Sequence, residues 1–298
     1  MAQESALFNL NNFNLSAPAK GLELSQASFE ALRKYIYDSC GIYFQDNKKY
    51  LLESRLQKRI AFLGLDSFDK YLDYLKFNSK SFEERKYLYE AITINETFFF
   101  RNQPQLDAMS QIILPEIISA KMKQGKNKIR IWSAASSSGE EAYSAAITII
   151  ELLKFKFPGI EFEIVGTDIN YAVIDTAQKA VYKDYSIRNT SAYYIKKYFK
   201  ANNNTYELDP SIKNMVNFRL LNLFDDMSMK AMTNFDLIFC ANVLIYFDNA
   251  SKIRVVNHLY NSLNKGGYLF IGYSETLHGI SKAFKLVSFP KTIGYKKE

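Results

Sequence analysis

The sequence contains few of the residues that build disulfide frameworks, zinc sites and histidine-dependent active sites. Its 298 residues include two cysteines, Cys40 and Cys240, and two histidines, His258 and His278. So few cysteines exclude a disulfide framework and a cysteine-rich metal site. Cys240 ends the apolar run F-D-L-I-F-C and is predicted to be a small buried residue. Two histidines argue against a histidine-based metal centre or catalytic triad, so we predict a protein without a metal.

Long apolar runs are absent as well. The longest, near residues 142–153, contains Glu151 and is shorter than the roughly 20 apolar residues of a membrane-spanning helix. The N-terminus lacks the basic start and cleavage pattern of a secretory signal. Hydrophobic residues make up 48% of the chain and aromatic residues 15%, as is typical of a globular protein. We therefore expect a cytoplasmic protein without direct membrane insertion.

The basic residues are more informative by their position than by their sum. The net charge of +7 favours an acidic partner, although exposed lysines often produce such a value alone. Arg55, Lys58 and Arg59 follow i, i+3, i+4 spacing on a predicted helix and therefore share one face. This face is either a solvated basic surface or a docking surface for an acidic helix. A nucleic-acid surface would interleave glycines and more aromatics, so we favour docking and predict no nucleic-acid partner.

Composition and periodicity divide the chain into four parts. Residues 1–22 are polar and without periodicity, and are predicted to be a flexible tail. Residues 23–93 show helical periodicity in four segments and predict an all-helical domain. Residues 94–105 form a linker, and residues 106–298 form a larger domain in which strands and helices alternate.

The linker carries polar side chains at close spacing within an apolar context. Asn95, Thr97 and Arg101 interrupt the sequence A-I-T-I-N-E-T-F-F-F-R. In an extended segment these three residues would lie on one face. A segment that is polar on one side and apolar on the other suits the lip of a ligand-binding cleft, where we predict it.

The central unit of the chain runs from Arg130 to Asp168. Its order is a strand, a small-residue turn S-S-S-G, a helix and a second strand that ends on an acid. Such a turn allows a ligand to approach the backbone, and the acid can accept both hydroxyls of a ribose. The turn lacks further glycines for a pyrophosphate and a G-K-[ST] motif for a triphosphate. An adenosine without phosphates fits best, with S-adenosylmethionine as the leading candidate.

A structural explanation of the same residues stands beside this one. Ser138 and Glu141 have the spacing of a capping box, and Asp168 could cap the helix that follows it. This unit alone does not decide between the two explanations, since such motifs often occur without a ligand.

The predicted fold is an N-terminal all-helical domain followed by an open, doubly wound α/β sheet. A small antiparallel β insertion is predicted at about 185–216, and the chain ends in a hairpin-like pair of strands. Ligands of such sheets lie outside the carboxyl ends of the strands. The side chains expected around this crevice are Ser133, Glu141, Asp168, Asn222, Leu223, Cys240, Ala241 and Tyr246.

Seven motifs together resemble the chemotaxis receptor glutamate methyltransferases, the CheR family. They are S-R-L-Q-K-R-I-A-F-L-G-L, T-I-N-E-T-F-F-F-R, R-I-W-S-A-A-S-S-S-G-E-E-A-Y, T-D-I, N-L, F-C-A-N-V-L-I-Y-F and G-Y-S-E. The resemblance extends from about Leu24 to Tyr295 and implies that the open, doubly wound sheet is of the class I methyltransferase type. It implies methyl transfer from S-adenosylmethionine to glutamate side chains on the cytoplasmic helical bundle of membrane chemoreceptors, with S-adenosylhomocysteine as the second product.

The resemblance also implies roles for individual residues. Arg101 and Tyr246 are expected at the reacting end. Arg55, Lys58 and Arg59 are expected to dock on the receptor bundle. The residues implied to contact the cofactor are Asn95, Thr97, Arg101, Ser133, Glu141, Asp168, Asn222, Leu223, Cys240 and Ala241.

The chemistry of the residues agrees with this reaction. A glutamate carboxylate, with an ordinary pKa near 4.3, is already ionised at neutral pH. The sulfonium carries its own leaving group, so in-line transfer needs positioning and exclusion of water rather than a general base or a metal. Arg101 could hold a carboxylate through a charge-assisted pair, and Tyr246 could orient the acceptor.

The chain departs from the family pattern at several positions. Ala241, Ala142 and Tyr273 stand where the family usually has arginine, proline and histidine. The insertion lacks the glycine-bearing turn with which some members bind a C-terminal receptor pentapeptide, so we expect no such tether and a monomer. Two alternatives stay open. One is a catalytically weak cofactor-binding regulator, favoured by Ala241, and the other is a nucleic-acid N-methyltransferase, although the chain has A-N-V-L-I-Y where those enzymes carry [ND]-P-P-[FY].

Overall fold

Four helices form the first part of the chain that the structure describes. The computed structural model describes residues 21–298, so residues 1–20 of the predicted tail lie outside the described residues. The helices are α1 (Gln26–Cys40), α2 (Lys49–Phe62), α3 (Phe68–Phe77) and α4 (Ser81–Ile92), and a short 3-10 helix (Asp46–Lys48) leads into α2. Their apolar faces meet in one core cluster. The structure thus confirms the all-helical character that periodicity predicts for this part.

Local signals explain where α1 begins and ends. The Ser25 side chain accepts a hydrogen bond from the Ser28 backbone N–H at 3.0 Å, which caps the helix. Phe29, Leu32 and Ile36 recur at helical spacing and are fully buried. Gly41 then ends the helix with a φ of 74°, a left-handed conformation that favours glycine.

The larger domain is built on a seven-stranded sheet with the order β6-β2-β1-β7-β8-β10-β9. Its strands are β1 (Lys128–Ala134), β2 (Glu161–Asp168), β6 (Val216–Leu220), β7 (Phe235–Cys240), β8 (Leu263–Ile271), β9 (Phe284–Phe289) and β10 (Thr292–Lys297). Adjacent strands from β6 through β8 pair in parallel, whereas β10 pairs antiparallel with both β8 and β9. The predicted doubly wound α/β sheet with a final hairpin is confirmed.

Helices cover both faces of this sheet, and each face has its own apolar cluster. They are α5 (Gln103–Ala108), α6 (Leu114–Met122), α7 (Glu140–Ile149), α8 (Tyr171–Lys179), α12 (Asp226–Lys230) and α13 (Asn249–Ser262). A π-helical turn (Met109–Ile113) joins α5 to α6, and another (Ile150–Lys154) extends α7.

The predicted insertion forms a second sheet. It contains β3 (Val181–Tyr182), α9 (Asp184–Ile187), α10 (Ala192–Tyr198), β4 (Phe199–Asn202), β5 (Thr205–Leu208) and α11 (Pro210–Lys213). The three strands pair antiparallel in the order β3-β5-β4. Asn203, with a φ of 51°, turns the β4–β5 hairpin within the predicted asparagine run. The small antiparallel insertion is confirmed, although its short helices contain more residues than its strands.

The segment after α1 fastens the helices to the larger domain. Ile42 forms an isolated antiparallel bridge with Phe247, and the Tyr43 N–H donates to the Tyr246 carbonyl at 3.0 Å. The Asn222 side-chain amide donates to the Ser39 carbonyl at 2.7 Å. The end of α1 therefore contacts loops at the carboxyl edge of the sheet.

Replacing Gly41 by alanine should weaken this junction. A Cβ at residue 41 would lie 2.5 Å from the Phe224 ring, and the φ of 74° disfavours any L side chain. We expect the free energy of unfolding to fall by about 2–5 kcal/mol, from left-handed strain and overpacking together. Chemical denaturation of the purified variant measures this.

Gly64→Ala is the matched control. Gly64 has a similar φ of 67°, but a Cβ there would meet no heavy atom within 4 Å. Only the conformational cost of about 1–2 kcal/mol should appear. Equal losses in the two variants would show that contact with Phe224 contributes nothing.

Candidate active site

A sharp turn after β1 forms the floor of a crevice at the carboxyl edge of the sheet. Ala135, Ser137 and Gly139 adopt φ values of 57°, 52° and 94°. A Cβ on Gly139 would lie 2.8 Å from the Phe218 ring, so glycine is needed for space as well as conformation. The Ser136 N–H donates to the Thr167 carbonyl at 2.8 Å, which ties the turn to the end of β2.

Asp168 braces this turn from the neighbouring strand. Its Oδ2 accepts from the Ser137 N–H at 2.9 Å and its Oδ1 from the Asn170 N–H at 3.0 Å. Burial raises the pKa of the Asp168 carboxyl, while the backbone donors of Asn170 and Ser137 lower it. Each oxygen keeps a lone pair free for a further donor. The carboxylate is therefore positioned to accept hydrogen bonds from a ligand.

Neither structural explanation of the predicted motif accounts for these residues. Gly139, without a side-chain hydrogen bond, is the N-cap of α7, so the expected Ser138–Glu141 capping box does not form. The N-cap of α8 is Asn170, whose side chain accepts from the Ala172 and Val173 N–H groups. Asp168 and Glu141 are thus left for the crevice.

Glu141 reaches the crevice from the first turn of α7. Its Oε1 accepts from the Ser133 hydroxyl at 2.8 Å. Burial raises the pKa of Glu141 to about 7, partly opposed by the Ser133 hydrogen bond and the charge of Arg101. Near neutral pH the carboxyl is thus divided between its two protonation states, and a cation beside it would favour the ionised form.

The loop after β7 forms the opposite wall. Ala241 and Asn242 follow Cys240, and a 3-10 helix (Leu244–Tyr246) then presents Tyr246 to the crevice. Asn242 has a φ of 61°. Burial raises the pKa of the Tyr246 phenol and, more strongly, that of the Cys240 thiol. Cys240 is fully buried, as predicted from its apolar context.

The linker crosses over this crevice but is not extended throughout. Residues 93–98 are irregular, and the chain turns at 99–102 around Phe100, with a φ of 58°. The prediction that residues 95, 97 and 101 share one face of an extended segment is therefore wrong for Arg101, because Arg101 lies in the turn and not in an extended segment. Ser137 donates to the Asn95 carbonyl at 3.0 Å, and Arg101 donates to the Glu96 carbonyl at 2.6 Å.

These elements enclose a cavity of about 290 Å³. Nine of the predicted site residues line it: Asn95, Thr97, Arg101, Glu141, Asp168, Asn222, Leu223, Ala241 and Tyr246. Ser133 and Cys240 lie behind the lining. Ser133 donates a hydrogen bond to the lining residue Glu141, and Cys240 directly precedes the lining residue Ala241.

The structure adds lining residues that sequence patterns do not indicate. Cys40 and Ile42 reach the cavity from the end of α1, and no local signal connects them to a ligand. Ser136 belongs to the predicted S-S-S-G turn and lines the cavity as well, and its buried hydroxyl has no hydrogen-bond partner. A buried hydroxyl without a partner is costly, so this oxygen is available for a ligand.

The three residues of the predicted basic face have different surroundings. Arg59 forms a forked pair with the buried Glu84, with a 2.5 Å contact from Nη2 to Oε2 and a 2.8 Å contact from Nε to Oε1. Arg55 donates to the Ile92 carbonyl at 2.7 Å, where α4 meets the linker. Lys58 is exposed. The guanidinium of Arg59 is therefore committed to the helical core, while Lys58 projects into solvent.

Among residues 21–298, no cluster of three or more His, Cys, Asp or Glu side chains has an arrangement suited to a metal ion. None of the helices there combines the length and apolar character needed to span a bilayer.

Two family models match this chain. "CheR methyltransferase, all-alpha domain" matches residues 27–93, and "CheR methyltransferase, SAM binding domain" matches residues 95–293. Chemotaxis protein methyltransferase 2 of Vibrio cholerae is 35% identical over 92% of this chain and 94% of its own length. The chemotaxis protein methyltransferase of Borreliella burgdorferi is 34% identical over 91% of this chain and 94% of its own length. Chemotaxis protein methyltransferase 1 of Pseudomonas aeruginosa is 33% identical, with coverages of 92% and 99%.

Proposed function

Because this chain belongs to the CheR methyltransferase family, we propose that it transfers the methyl group of S-adenosylmethionine to glutamate side chains of membrane chemoreceptors. The products are glutamate methyl esters and S-adenosylhomocysteine. The observation that carries the proposal is the single cavity in which Asp168, Glu141, Arg101 and Tyr246 converge. The predicted family is confirmed, whereas the acceptor and the residue roles belong to the proposal.

The residues present fit an adenosine-type cofactor. The Ser136 hydroxyl is buried without a partner, and Asp168 has free lone pairs beside the turn of residues 135–139. We assign Asp168 to the ribose hydroxyls and Glu141 to the cationic amine of the methionine part. Residues 222–223 border the adenine, and Asn95 and Thr97 cover the cofactor from the linker. The Asn222 amide is partly occupied by Ser39, so its contact with adenine would use its remaining N–H or its backbone.

When bound, the cofactor supplies an electrophilic methyl group on a sulfonium. The acceptor carboxylate oxygen forms the new O–C bond as the S–C bond breaks and its electron pair stays on sulfur, so no proton is transferred. The protein therefore has to align the acceptor and exclude water. The exposed Arg101 on the linker and the half-buried Tyr246 on the β7 loop both line the cavity. We assign both to holding the acceptor carboxylate.

The helical domain is the proposed receptor-docking part. Arg55 and Lys58 supply positive charge on α2, and an acidic face of a helical bundle is the complementary partner. Arg59 would contribute mainly by holding Glu84 and the shape of this surface. Docking without a C-terminal tether, as a monomer, completes the proposal.

Cofactor binding should strengthen as pH rises through about 7. The pKa of Glu141 is raised to about 7 by burial, so the cofactor must displace a proton from a large share of the molecules. At pH 7 about half a proton should be released per cofactor bound. Below pH 7.5 the amine of the ligand remains mostly cationic, since α-amino groups titrate near 7.7–8.0. Calorimetry of S-adenosylhomocysteine binding at pH 5.5–7.5, in buffers of different ionisation enthalpy, counts the protons.

Glu141→Gln is the matched variant for this measurement. It keeps the side-chain shape and the acceptor for Ser133 but cannot ionise, so the proton release should vanish. In the protein without ligand, stability changes with pH in the opposite direction to cofactor binding. A folded-state pKa above the ordinary 4.5 makes the wild-type protein lose stability as pH rises from about 4.5 to 7. Proton release that persists in Glu141→Gln would assign the titration to another group.

Methyl transfer from labelled S-adenosylmethionine to receptor-containing membranes tests the proposed reaction. Label that base releases as methanol identifies a carboxyl methyl ester. Tight cofactor binding without methyl transfer would instead favour the alternative function, a catalytically weak cofactor-binding regulator. The observation behind that alternative is Ala241, which stands where the family usually has arginine. Base-stable label on nucleic acid would overturn the proposed acceptor.

A further inference from the structure

Glu275 links the two loops that follow β7 and β8. Its Oε2 accepts from the Gly272 N–H at 2.6 Å and from the Asn242 N–H at 2.9 Å. Its Oε1 accepts from the Ile245 N–H at 3.2 Å. One carboxylate thus receives three backbone donors, two of which belong to the loop that carries Ala241 and Tyr246.

The loop that Glu275 holds turns sharply at Asn242. Asn242 has a left-handed φ of 61°, a conformation that asparagine tolerates better than other residues with a side chain. The close fit extends to Gly272, where a Cβ would lie 2.7 Å from Glu275 Oε2 and from Asn242 Oδ1. Between Asn242 and Ile245 the chain enters the 3-10 helix that ends at Tyr246. The position of the Tyr246 side chain therefore depends on these two N–H contacts.

A carboxylate is specifically suited to this arrangement. Both of its oxygens accept, so three N–H groups can converge on it from two directions. A glutamine of the same shape has one accepting oxygen, and its amide N–H would face one of the donors. Burial is the main cause of the raised pKa values of Glu141 and Tyr246, and the charge of Glu275 raises both further.

We propose that Glu275 is a positioning residue of the proposed methyl transfer. It fixes the Ala241–Tyr246 loop, and with it the phenol of Tyr246, by accepting the N–H groups of Asn242 and Ile245. The inference rests on the proposed function for its catalytic consequence, while the loop attachment itself is independent of the acceptor. The residue acts through the backbone and leaves the cofactor-contacting groups of β1 and β2 unchanged.

Glu275→Gln tests the inference in the full-length protein. Hydrogen exchange of peptides that cover residues 241–247 should accelerate at least about tenfold, while peptides from residues 133–141 keep their wild-type rates. The turnover number for methyl transfer should fall about 10- to 100-fold, since displacement of a reacting group by about 1 Å can cost that much. The dissociation constant of S-adenosylhomocysteine should stay within about threefold of the wild-type value, because Asp168 and Glu141 keep their places.

Ser274→Ala, an exposed change in the same turn, is the control and should match the wild type in all three measurements. Glu275→Asp, which keeps a carboxylate on a shorter side chain, should retain more turnover than Glu275→Gln. Unchanged exchange of residues 241–247, or accelerated exchange with wild-type turnover, would overturn the proposal. If the wild type itself forms no glutamate methyl ester, the proposed function fails, and the exchange experiment still decides whether Glu275 holds the loop.

Discussion

Replacing Asp168 by alanine should weaken cofactor binding about 100- to 1000-fold. Two charge-assisted hydrogen bonds, each near the lower end of the usual range at about 1.5–2 kcal/mol, would be lost with the proposed ribose contacts. The Ser137 and Asn170 N–H groups would also lose their acceptors, which loosens the turn after β1. Equilibrium binding of S-adenosylhomocysteine, measured by calorimetry, gives the change in dissociation constant directly.

Two further variants separate the causes. Asp168→Asn keeps the size and one accepting oxygen, so its loss should be smaller than that of alanine. Asp175→Ala removes an equal charge from α8, where Asp175 forms only an exposed pair with Lys179, and should leave binding unchanged. Near wild-type affinity in Asp168→Ala would place the ribose elsewhere in the cavity.

The second large effect is expected at Arg101. Its replacement by alanine removes the proposed charge-assisted contact to the acceptor carboxylate, and kcat/KM for methyl transfer should fall about 100-fold or more. Arg101→Lys keeps the charge but loses the planar fork, so it should recover only part of the rate. Steady-state kinetics with receptor-containing membranes, varied in acceptor at saturating cofactor, measures both variants.

Lys183→Ala provides the comparison for simple loss of positive charge near the linker. Lys183 lies directly before α9, whose Ser186 carbonyl accepts from the Phe99 N–H. It should change kcat/KM by less than about threefold, as expected for an exposed surface charge. A similar rate loss in Lys183→Ala and Arg101→Ala would mean that Arg101 contributes through the general field of the protein rather than through a specific contact.

The parts of the fold that depend on local patterns can be predicted from the sequence. Ser25 and Gly41 mark the ends of α1, and the S-S-S-G turn with Asp168 marks the βαβ unit, because caps and turns use particular side chains at fixed spacing. The order of strands and helices follows from periodicity. The convergence of residues on one crevice then follows from the geometry of parallel sheets.

Contacts between distant segments are outside the reach of such patterns. The spacing of Arg59 indicates a basic face, but its pairing with Glu84 depends on how α2 packs against α4. The family resemblance predicts that Asn222 contacts the cofactor, but the side-chain amide of Asn222 also donates to the Ser39 carbonyl. The three donors of Glu275 come from residues that lie 3, 30 and 33 positions away. Only the assembled fold brings such groups together.

The bridge between Ile42 and Phe247 affects how chimeras of this protein and its relatives can be built. The end of α1 completes a hydrogen-bonding edge of the larger domain and contributes Cys40 and Ile42 to its cavity wall. A chimera that joins this methyltransferase domain to the helices of a relative therefore inherits a foreign piece of the cavity. To keep these contacts native, the exchanged segments have to include the partners of residues 39–43 as well, namely Asn222, Phe224 and Tyr246–Phe247. The contacts between the end of α1 and the larger domain, rather than the boundary near residue 93, therefore determine which segments must be exchanged together.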